Sequence, residues 1–262
     1  MSPERTSVVF DRAADYYDAT RGGSPEGERA MVELLVRELG DRGLTLELGV
    51  GRGLVALPLH AAGIELVGLD LSRPMMDRLI EKAGGGSPFP LVQGDATRMP
   101  FADGVFGAAY LRWVLHLIPD WERGLAEAVR VLRHGAVLAV SMGAFTGPWA
   151  EIQAKFGELA NVSITPAGLM WGRLDLLDEA MVALGATPRE LPAITERENE
   201  SLDQWIDGVA RNRYSWTWKV EDPELLASVA AEVRVWAQER FGPLDGPRGT
   251  FDIIWRAYDL PA

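Results

Sequence analysis

Hydrophobic positions along the chain follow two alternating patterns, short apolar runs and longer stretches with helical spacing. The stretch 25–39 has its apolar residues on one helical face, and Ser24 followed by Pro25 is typical of a helix start. Apolar runs typical of buried strands occur at residues 45–48, 64–70, 104–111 and 136–142, with a shorter extended stretch before Asp95. Because strands that alternate with helices form parallel sheets with right-handed crossovers, the first 145 residues predict such a sheet.

After residue 147 the pattern changes to longer helical stretches, separated by two further strand patterns at residues 187–196 and 250–259. In the last strand pattern, Phe251, Ile253, Trp255 and Ala257 alternate as one face. Composition shows no break that marks a second independent domain. We therefore predict one domain over residues 1–262, with a core at 25–145 and a C-terminal part at 146–262 whose helices at about 197–248 form an insertion over the sheet.

The stretch from Thr45 to Gly53, TLELGVGRG, combines a strand with a glycine-rich turn. Gly49, Gly51 and Gly53 permit backbone conformations and a close ligand approach that a side chain would block. In open parallel sheets, ligands bind at the carboxyl ends of strands, where this turn and Glu47 lie. The turn does not match the dinucleotide pattern GxGxxG, because Leu54 occupies the position of the last glycine.

Acidic residues end the next two strands. Asp70 follows the glycine turn by about 20 residues, a spacing at which nucleoside-binding folds place a carboxylate against the ribose hydroxyls. Asp95 ends the third strand pattern, within Gly94-Asp95-Ala96. For each acid the alternative is a loop cap or a surface charge.

The pattern ExGxGxG, a strand-end Asp70 and the Gly94-Asp95-Ala96 segment resemble the class I S-adenosyl-L-methionine-dependent methyltransferases, in their small-molecule branch of type 11/25-like enzymes. The resemblance implies an α/β fold, a doubly wound, Rossmann-like and mostly parallel seven-stranded sheet with a C-terminal antiparallel strand and a helical lid. It also implies S-adenosylmethionine as cofactor. The cofactor-binding residues that it implies are Glu47, Gly49, Gly51, Gly53, Asp70, Leu71, Met75, Asp95, Ala96 and Arg112.

Within that family, the acid at the position of Glu47 receives the cofactor's ammonium, Asp70 would bind the ribose hydroxyls, and Asp95 with the Ala96 backbone would meet the adenine amino edge. The amino-terminal YDATR resembles a family segment that folds over the cofactor, so Tyr17 and Arg21 are expected contacts of a lid at residues 1–24. The alternative is a helix that only packs on the sheet edge.

His116 lies shortly before Pro119-Asp120, in a stretch that borders the transferred methyl group in the family. An unperturbed histidine titrates at about pH 6.5, so His116 is the candidate general base for an acceptor that is protonated at working pH. A ring packed under the loop is the alternative. His60 and His134 occupy helix-surface and turn positions, which indicate structural roles.

Aromatic residues are the candidates for the acceptor pocket. The segment YSWTW at 214–218 lies beside Arg213, where indoles and a guanidinium would hold an apolar, cationic or acidic acceptor. Packing in a core is the alternative for each aromatic residue. The expected pocket residues are Trp113, Trp149, Trp171, Arg213, Tyr214 and Trp218.

Composition narrows the classes of function. The chain has 47% hydrophobic residues, no cysteine and three scattered histidines, so we expect a globular protein without disulfides, thiol nucleophiles or a metal site. The net charge of −12 and the dispersed basic residues argue against nucleic acid. No apolar run approaches the roughly 18–20 residues that span a bilayer, and the amino terminus lacks a signal pattern. We therefore expect a cytoplasmic protein that does not insert into membranes.

We expect methyl transfer from S-adenosylmethionine to an oxygen or nitrogen of a small-molecule acceptor, by direct in-line displacement. One alternative is an NAD(P)-dependent oxidoreductase, against which Leu54 and the absence of a Tyr-x-x-x-Lys pair argue. Another is a noncatalytic protein that binds S-adenosylmethionine. No pattern in the sequence predicts an oligomeric state.

Overall fold

The computed structural model describes residues 7–18, 23–143, 146–197, 200–246 and 250–262. The chain forms two compact units, the first made of Met1–Gly143, Ala167–Ile194 and Asp252–Ala262, and the second of Ala144–Pro166 and Thr195–Phe251. The insertion predicted at about 197–248 falls within the second unit, and the boundaries of a single domain stay a prediction. In the described part of the chain, no helix is both long and apolar enough to cross a bilayer.

The strands form one large sheet and one small sheet. Their bounds are β1 Thr45–Leu48, β2 Leu66–Asp70, β3 Leu91–Gln93, β4 Phe106–Arg112, β5 Leu132–Ser141, β6 Thr187–Glu190, β7 Ile194–Arg197, β8 Thr250–Ile253 and β9 Trp255–Asp259. The large sheet has seven strands in the order β3-β2-β1-β4-β5-β9-β6, and β7 pairs with β8 in the small one. β1 to β5 are parallel to one another, whereas β9 is antiparallel to β5 and β6. The predicted mostly parallel, seven-stranded sheet with an antiparallel C-terminal strand is confirmed.

The bounds of the α-helices are α1 Pro25–Leu39, α2 Ala56–Ala61, α3 Arg73–Lys82, α4 Trp121–Val131, α5 Gly147–Leu159, α6 Leu174–Ala183, α7 Leu202–Ala210 and α8 Pro223–Phe241. Helices of the first unit cover both faces of the large sheet. Apolar residues of α1, α2 and α3 pack on one face, and those of α4 and α6 pack on the other. Because side chains alternate along a strand, Ala108 and Tyr110 of β4 face the first layer while Ala109 and Leu111 face the second.

Local capping explains where several helices begin. Ser24 accepts a hydrogen bond from the Gly27 N–H at 3.0 Å, so the predicted start of α1 is confirmed. Ser72 caps α3 in the same way, by accepting a hydrogen bond from the Met75 N–H at 3.3 Å. At α7, Ser201 and Gln204 form a reciprocal capping box. These short polar contacts satisfy N–H groups that have no partner inside the helix.

The second unit contains α5, α7 and α8, together with a cluster of aromatic rings. The Trp205 ring lies 5.2 Å from Trp149, 5.2 Å from Tyr214 and 5.4 Å from Trp216, measured between ring centroids. Phe156 of α5 meets Trp216 at 5.2 Å. Aromatic pairs at these separations stabilise a core beyond the area that they bury.

Two stretches expected as single strands are each divided in two. Residues 187–196 divide into β6 and β7 around Pro192, which has no N–H to donate to a ladder. Residues 250–259 divide at Ile254, whose carbonyl accepts a hydrogen bond from the Ser141 hydroxyl at 2.9 Å. Phe251 is consequently 38% exposed while Trp255 is fully buried, so the prediction of one continuous face was wrong at Phe251.

Gly107 lies in β4 where the chain passes closest to another backbone. A Cβ atom at this position would lie 1.5 Å from the carbonyl oxygen of Arg42. We therefore predict that Gly107→Ala lowers the free energy of unfolding by at least about 2 kcal/mol, because overpacking against backbone forces the chain to move. Urea unfolding followed by tryptophan fluorescence measures this change.

Gly86→Ala is the matched control, since a Cβ atom there has no heavy atom within 4 Å. Its free energy of unfolding should stay within about 0.5 kcal/mol of the wild type. Equal stability of the two variants would contradict the close approach of β4 to Arg42.

Candidate active site

The glycine turn connects β1 to α2 at the carboxyl edge of the sheet. Gly49, Gly51 and Gly53 all have positive φ angles, of 74°, 50° and 73°. The N–H groups of Gly49 and Val50 donate to the Leu69 carbonyl at 2.8 and 3.0 Å, which fastens the turn to β2. Left-handed backbone at three alternate positions explains why glycine occurs at each of them.

Two of these glycines are also needed for packing. A Cβ atom on Gly49 would lie 2.5 Å from Cγ2 of Val114, and one on Gly53 would lie 2.9 Å from side-chain atoms of Leu57 and Leu79. At Gly51 the nearest atom would be the terminal methyl carbon of Met75, at 3.3 Å. Met75 is 3% exposed, so this predicted cofactor residue lies directly beneath the turn.

The carboxylate of Asp70 joins the turn to the end of β2. Its Oδ2 accepts a hydrogen bond from the Gly51 N–H at 2.7 Å, and its Oδ1 accepts one from the Ser72 N–H at 2.8 Å. Burial raises the pKa of Asp70 above its usual value, the hydrogen bonds from backbone N–H groups lower it, and the nearby charge of Asp11 raises it. The two sequence features predicted to bind one ligand are thus in direct contact.

Glu47 is buried within β1, with 3% of its surface exposed. Its Oε2 accepts a hydrogen bond from the hydroxyl of Tyr110, on the neighbouring strand β4, at 2.8 Å. Burial raises the pKa of Glu47 well above its usual value, and the Tyr110 hydrogen bond lowers it. A smaller rise comes from the charge of Asp70 and a smaller reduction from Arg112. A carboxylate in such a place favours a cationic partner.

Asp95 lies just past β3, where its carboxylate shapes the following loop. Oδ1 accepts hydrogen bonds from the N–H and the hydroxyl of Thr97, at 2.8 and 2.9 Å. The Gly94 N–H donates to the Asp70 carbonyl at 2.9 Å, which holds the Gly94-Asp95-Ala96 segment beside β2. At the start of the loop after β2, the Leu71 carbonyl accepts from the Gln93 side chain at 3.2 Å.

The amino-terminal segment 7–18 lies against α3 through a row of polar contacts. The Ser72 hydroxyl donates to Asp11 at 2.6 Å, Asp15 pairs with Arg78, and Asp18 pairs with Lys82 and, at 3.6 Å, with Arg52. The Tyr17 ring packs edge-on against Phe10. Arg21, the other predicted lid contact, lies outside the described residues. A cover over the cofactor therefore stays a prediction for this segment.

The loop after β4 brings together the residues predicted to border the methyl group. Trp113 has a φ angle of +57°, an unusual conformation for a bulky residue, and the Arg112 guanidinium lies 4.1 Å from the centre of its ring. His116 is half-buried in a short 3₁₀ turn, with its ring 5.7 Å from that of Trp171. The Gly168 N–H donates to the His116 carbonyl at 2.9 Å, which ties the Trp171 loop to this turn.

The remaining predicted pocket residues belong to the second unit. Tyr214 is 1% exposed and stacks on Trp216, with ring centroids 5.7 Å apart. The Trp218 indole N–H donates to the Asn212 carbonyl at 3.0 Å, and Arg213 is half-buried. Trp149 packs on Trp205 as described above. A role of these residues in acceptor binding stays a prediction.

Sequence reasoning missed Tyr110 and the acids of the amino-terminal segment as parts of the site. Tyr110 occurs in an apolar run and gives no signal of a polar role, because its partner Glu47 lies 63 residues earlier. The acids of the segment are spaced four and three residues apart, at Asp11, Asp15 and Asp18, which puts them on one side of a helix. This spacing could have predicted a charged contact surface. Among the described residues, no group of three or more acids and histidines is arranged to hold a metal ion.

Comparison with known proteins finds methyltransferases, both by family model and by sequence identity. A family model described as a methyltransferase domain matches residues 46–140. The demethylmenaquinone methyltransferase of Beutenbergia cavernae is 32% identical over 169 residues, which are 63% of this chain and 68% of that protein. The phosphatidylethanolamine N-methyltransferase of Cereibacter sphaeroides is 31% identical over 166 residues, 62% of this chain and 80% of that protein.

A solved structure shows the same fold at low identity. The YcgJ protein of Bacillus subtilis matches with a TM-score of 0.61 and 17% identity, over 89% of this chain and 99% of that chain. At this identity the likeness concerns the arrangement of strands and helices, which agrees with the sheet order found here.

The contacts of Asp18 lead to a prediction about the amino-terminal segment. Asp18→Asn should speed hydrogen exchange of the amides in residues 8–18 by roughly fivefold, because a partly exposed ion pair contributes about 1 kcal/mol at most. Exchange followed by mass spectrometry measures this change. Asp175→Asn is the control, since it removes an ion pair with Arg173 elsewhere. If the two variants exchange equally in this segment, Asp18 does not fasten it to α3.

Proposed function

This chain belongs to the class I S-adenosylmethionine-dependent methyltransferases, and we propose that it transfers a methyl group to an oxygen or nitrogen of a small-molecule acceptor. The observation that carries the proposal is the contact between Asp70 and Gly51 at the carboxyl ends of β1 and β2. This contact joins the acid that we expect at the ribose to the turn that we expect at the methionine part of the cofactor.

The residues at this edge fit the chemistry of the cofactor. Each oxygen of Asp70 accepts one backbone hydrogen bond, and a carboxylate oxygen has a second lone pair that accepts from a ribose hydroxyl. Glu47 Oε2 is held by Tyr110, and in the described part of the chain Oε1 accepts no hydrogen bond. We propose that Oε1 receives the cofactor's ammonium, directly or through water.

The other predicted cofactor residues surround the same edge. We propose that Asp95 and the Ala96 backbone meet the adenine amino group, and that Leu71, Met75 and Arg112 line the cofactor. Gly49, Gly51 and Gly53 keep the backbone clear of side chains where the methionine and ribose parts would pass. Tyr17 and Arg21 are proposed to cover the cofactor from the amino-terminal segment.

When bound, S-adenosylmethionine supplies an electrophilic methyl group on a sulfonium. The chain then has to hold the acceptor in line with the bond that breaks and keep water away, and well-oriented reactants gain on the order of 7–11 kcal/mol in this way. We propose that His116 takes the proton of an acceptor that is protonated at working pH. Trp113 and Trp171, which flank the His116 turn, are proposed to orient the acceptor.

The acceptor does not follow from the relatives. One relative is named for a quinone and the other for the nitrogen of a phospholipid headgroup, although both match a similar share of this chain at similar identity. We therefore propose an oxygen or nitrogen as the methylated atom on the basis of the sequence alone. Contacts of Trp149, Arg213, Tyr214 and Trp218 with the acceptor, the cytoplasmic location and the absence of nucleic-acid partners also stay predictions.

Calorimetric titration tests the proposal against its two alternatives. We expect S-adenosylmethionine and S-adenosylhomocysteine to bind and NAD not to bind. The reverse result would favour an oxidoreductase. A screen of metabolites with a radiolabelled methyl donor then tests catalysis, because a protein that binds the cofactor but methylates nothing would be a noncatalytic binding protein.

Asp70→Asn keeps the size of the side chain and removes its charge. We predict at least about tenfold weaker binding of S-adenosylmethionine, because hydrogen bonds from the ribose to an ionised acceptor contribute about 1.5–3 kcal/mol. Calorimetry measures the affinity, and thermal unfolding without ligand checks the fold. Asp77→Asn on α3 is the control, since Asp77 is half exposed and pairs with Arg73. Similar affinities of the two variants would remove Asp70 from the cofactor site.

His116→Ala should lower kcat by about 100-fold or more, the usual contribution of a general base, with little change in the affinity for S-adenosylhomocysteine. The assay uses the acceptor found in the metabolite screen. His60→Ala is the control, because the His60 ring packs on Phe89 at 5.4 Å. Normal turnover of the His116 variant would remove this residue from the mechanism.

A further inference from the structure

Glu47 and Tyr110 form a polar pair inside an apolar layer. They are register partners on the adjacent parallel strands β1 and β4, so their side chains point to the same face of the sheet. Glu47 is 3% exposed and Tyr110 is fully buried. The 2.8 Å bond between the Tyr110 hydroxyl and Glu47 Oε2 is therefore shielded from water.

The other neighbouring strand gives Glu47 no side-chain partner. Its register partner on β2 is Gly68, where a Cβ atom would lie 2.9 Å from both Val50 and Leu91. Among the described residues, Tyr110 is the one hydrogen-bond donor to the Glu47 side chain. The orientation of the carboxylate consequently depends on a single hydroxyl.

When Glu47 is ionised, the Tyr110 hydroxyl is the donor of this hydrogen bond, because a carboxylate can only accept. Burial and the charge of Glu47 both raise the pKa of Tyr110 well above its usual value, so the phenol keeps its proton and donates. The charged groups that act on Glu47 are Asp70, which opposes its ionisation, and Arg112, which favours it. Tyr110 offsets part of the cost of an ionised carboxylate in this layer.

We propose that Tyr110 is a positioning residue for the cofactor, because its hydroxyl holds Oε2 of Glu47 and leaves Oε1 directed to the amine of the methionine part. This inference rests on the proposed function. We expect Tyr110 to touch neither the ribose nor the reacting methyl group. Its effect should appear with ligands that carry the amine and be absent with ligands that lack it.

The pH dependence has a defined sign. The ionised form of Glu47 binds the ammonium, so affinity for an amine-bearing ligand rises as pH rises through the pKa of Glu47. Removing the Tyr110 hydroxyl takes away a bond that favours the ionised form, which raises that pKa further. The rise in affinity should therefore occur at higher pH in Tyr110→Phe than in the wild type.

The test compares two ligands by calorimetry over a range of pH. S-adenosylhomocysteine carries the amine, whereas 5′-methylthioadenosine has the same nucleoside without the amino-acid part. Tyr110→Phe should weaken the binding of S-adenosylhomocysteine by about tenfold and move the midpoint of its pH-dependent binding to higher pH. The affinity for methylthioadenosine should change by less than about twofold. Tyr258→Phe is the matched control, since Tyr258 is also fully buried and donates to Asp178 at 2.7 Å on the other face of the sheet.

Two results would overturn the inference while leaving the proposed function intact. One is an unchanged affinity and pH midpoint for S-adenosylhomocysteine, and the other is an equal loss for both ligands, which would indicate a structural role. If the wild type binds neither ligand, the proposed function fails and the inference with it.

A second variant keeps the test decisive if Tyr110→Phe does not fold. Replacing Tyr110 with 3-fluorotyrosine makes the hydroxyl more acidic with little change in size, so it donates a stronger hydrogen bond to Glu47. The pH midpoint for S-adenosylhomocysteine should then move to lower pH. A midpoint equal to that of the wild type would overturn the inference.

Discussion

The arrangement of the active-site edge depends on the carboxylate of Asp70. One oxygen accepts from Gly51 in the turn after β1 and the other accepts from Ser72 at the start of α3. The same serine caps α3 and donates to Asp11 of the amino-terminal segment. A single half-buried acid thus connects the turn, two parallel strands, a helix and the segment predicted to form a lid.

The candidate site holds negatively charged groups, such as Glu47 and Asp70, in a largely buried environment. The charge of Asp70 opposes ionisation of Glu47, and the charge of Asp11 opposes ionisation of Asp70, in a protein whose net charge is already −12. Backbone N–H groups and the Tyr110 hydroxyl offset part of this cost. A ligand with an ammonium and two adjacent hydroxyls complements the remaining acceptors, which is the combination found in S-adenosylmethionine.

Local patterns were sufficient to predict the fold class. Apolar runs predicted the strands, and Ser24 predicted the start of α1, because this cap joins residues only three apart. The division of the last two strand patterns could not be predicted, since it depends on Pro192 within the ladder and on the bond from Ser141 to Ile254. Tertiary contacts there override the local alternation of Phe251 with Trp255.

The sequence motif brought together residues that the structure shows in contact, whereas contacts that depend on strand register could not be predicted. Gly51 of the glycine turn and Asp70 lie 19 residues apart and are joined by a hydrogen bond. Tyr110 meets Glu47 through the register of β1 on β4, which periodicity does not specify. The left-handed backbone of Trp113 likewise has no sequence signal, because bulky residues rarely adopt it.

A crystal structure with S-adenosylhomocysteine bound is the most direct test of the proposed cofactor site. We expect the amine within about 3.2 Å of Glu47 Oε1, the ribose hydroxyls on Asp70, and the adenine beside Asp95 and Ala96. The side of the sulfur atom that carries the methyl group in S-adenosylmethionine should face the turn that carries His116. A ligand bound elsewhere, or a ribose without a contact to Asp70, would refute this site.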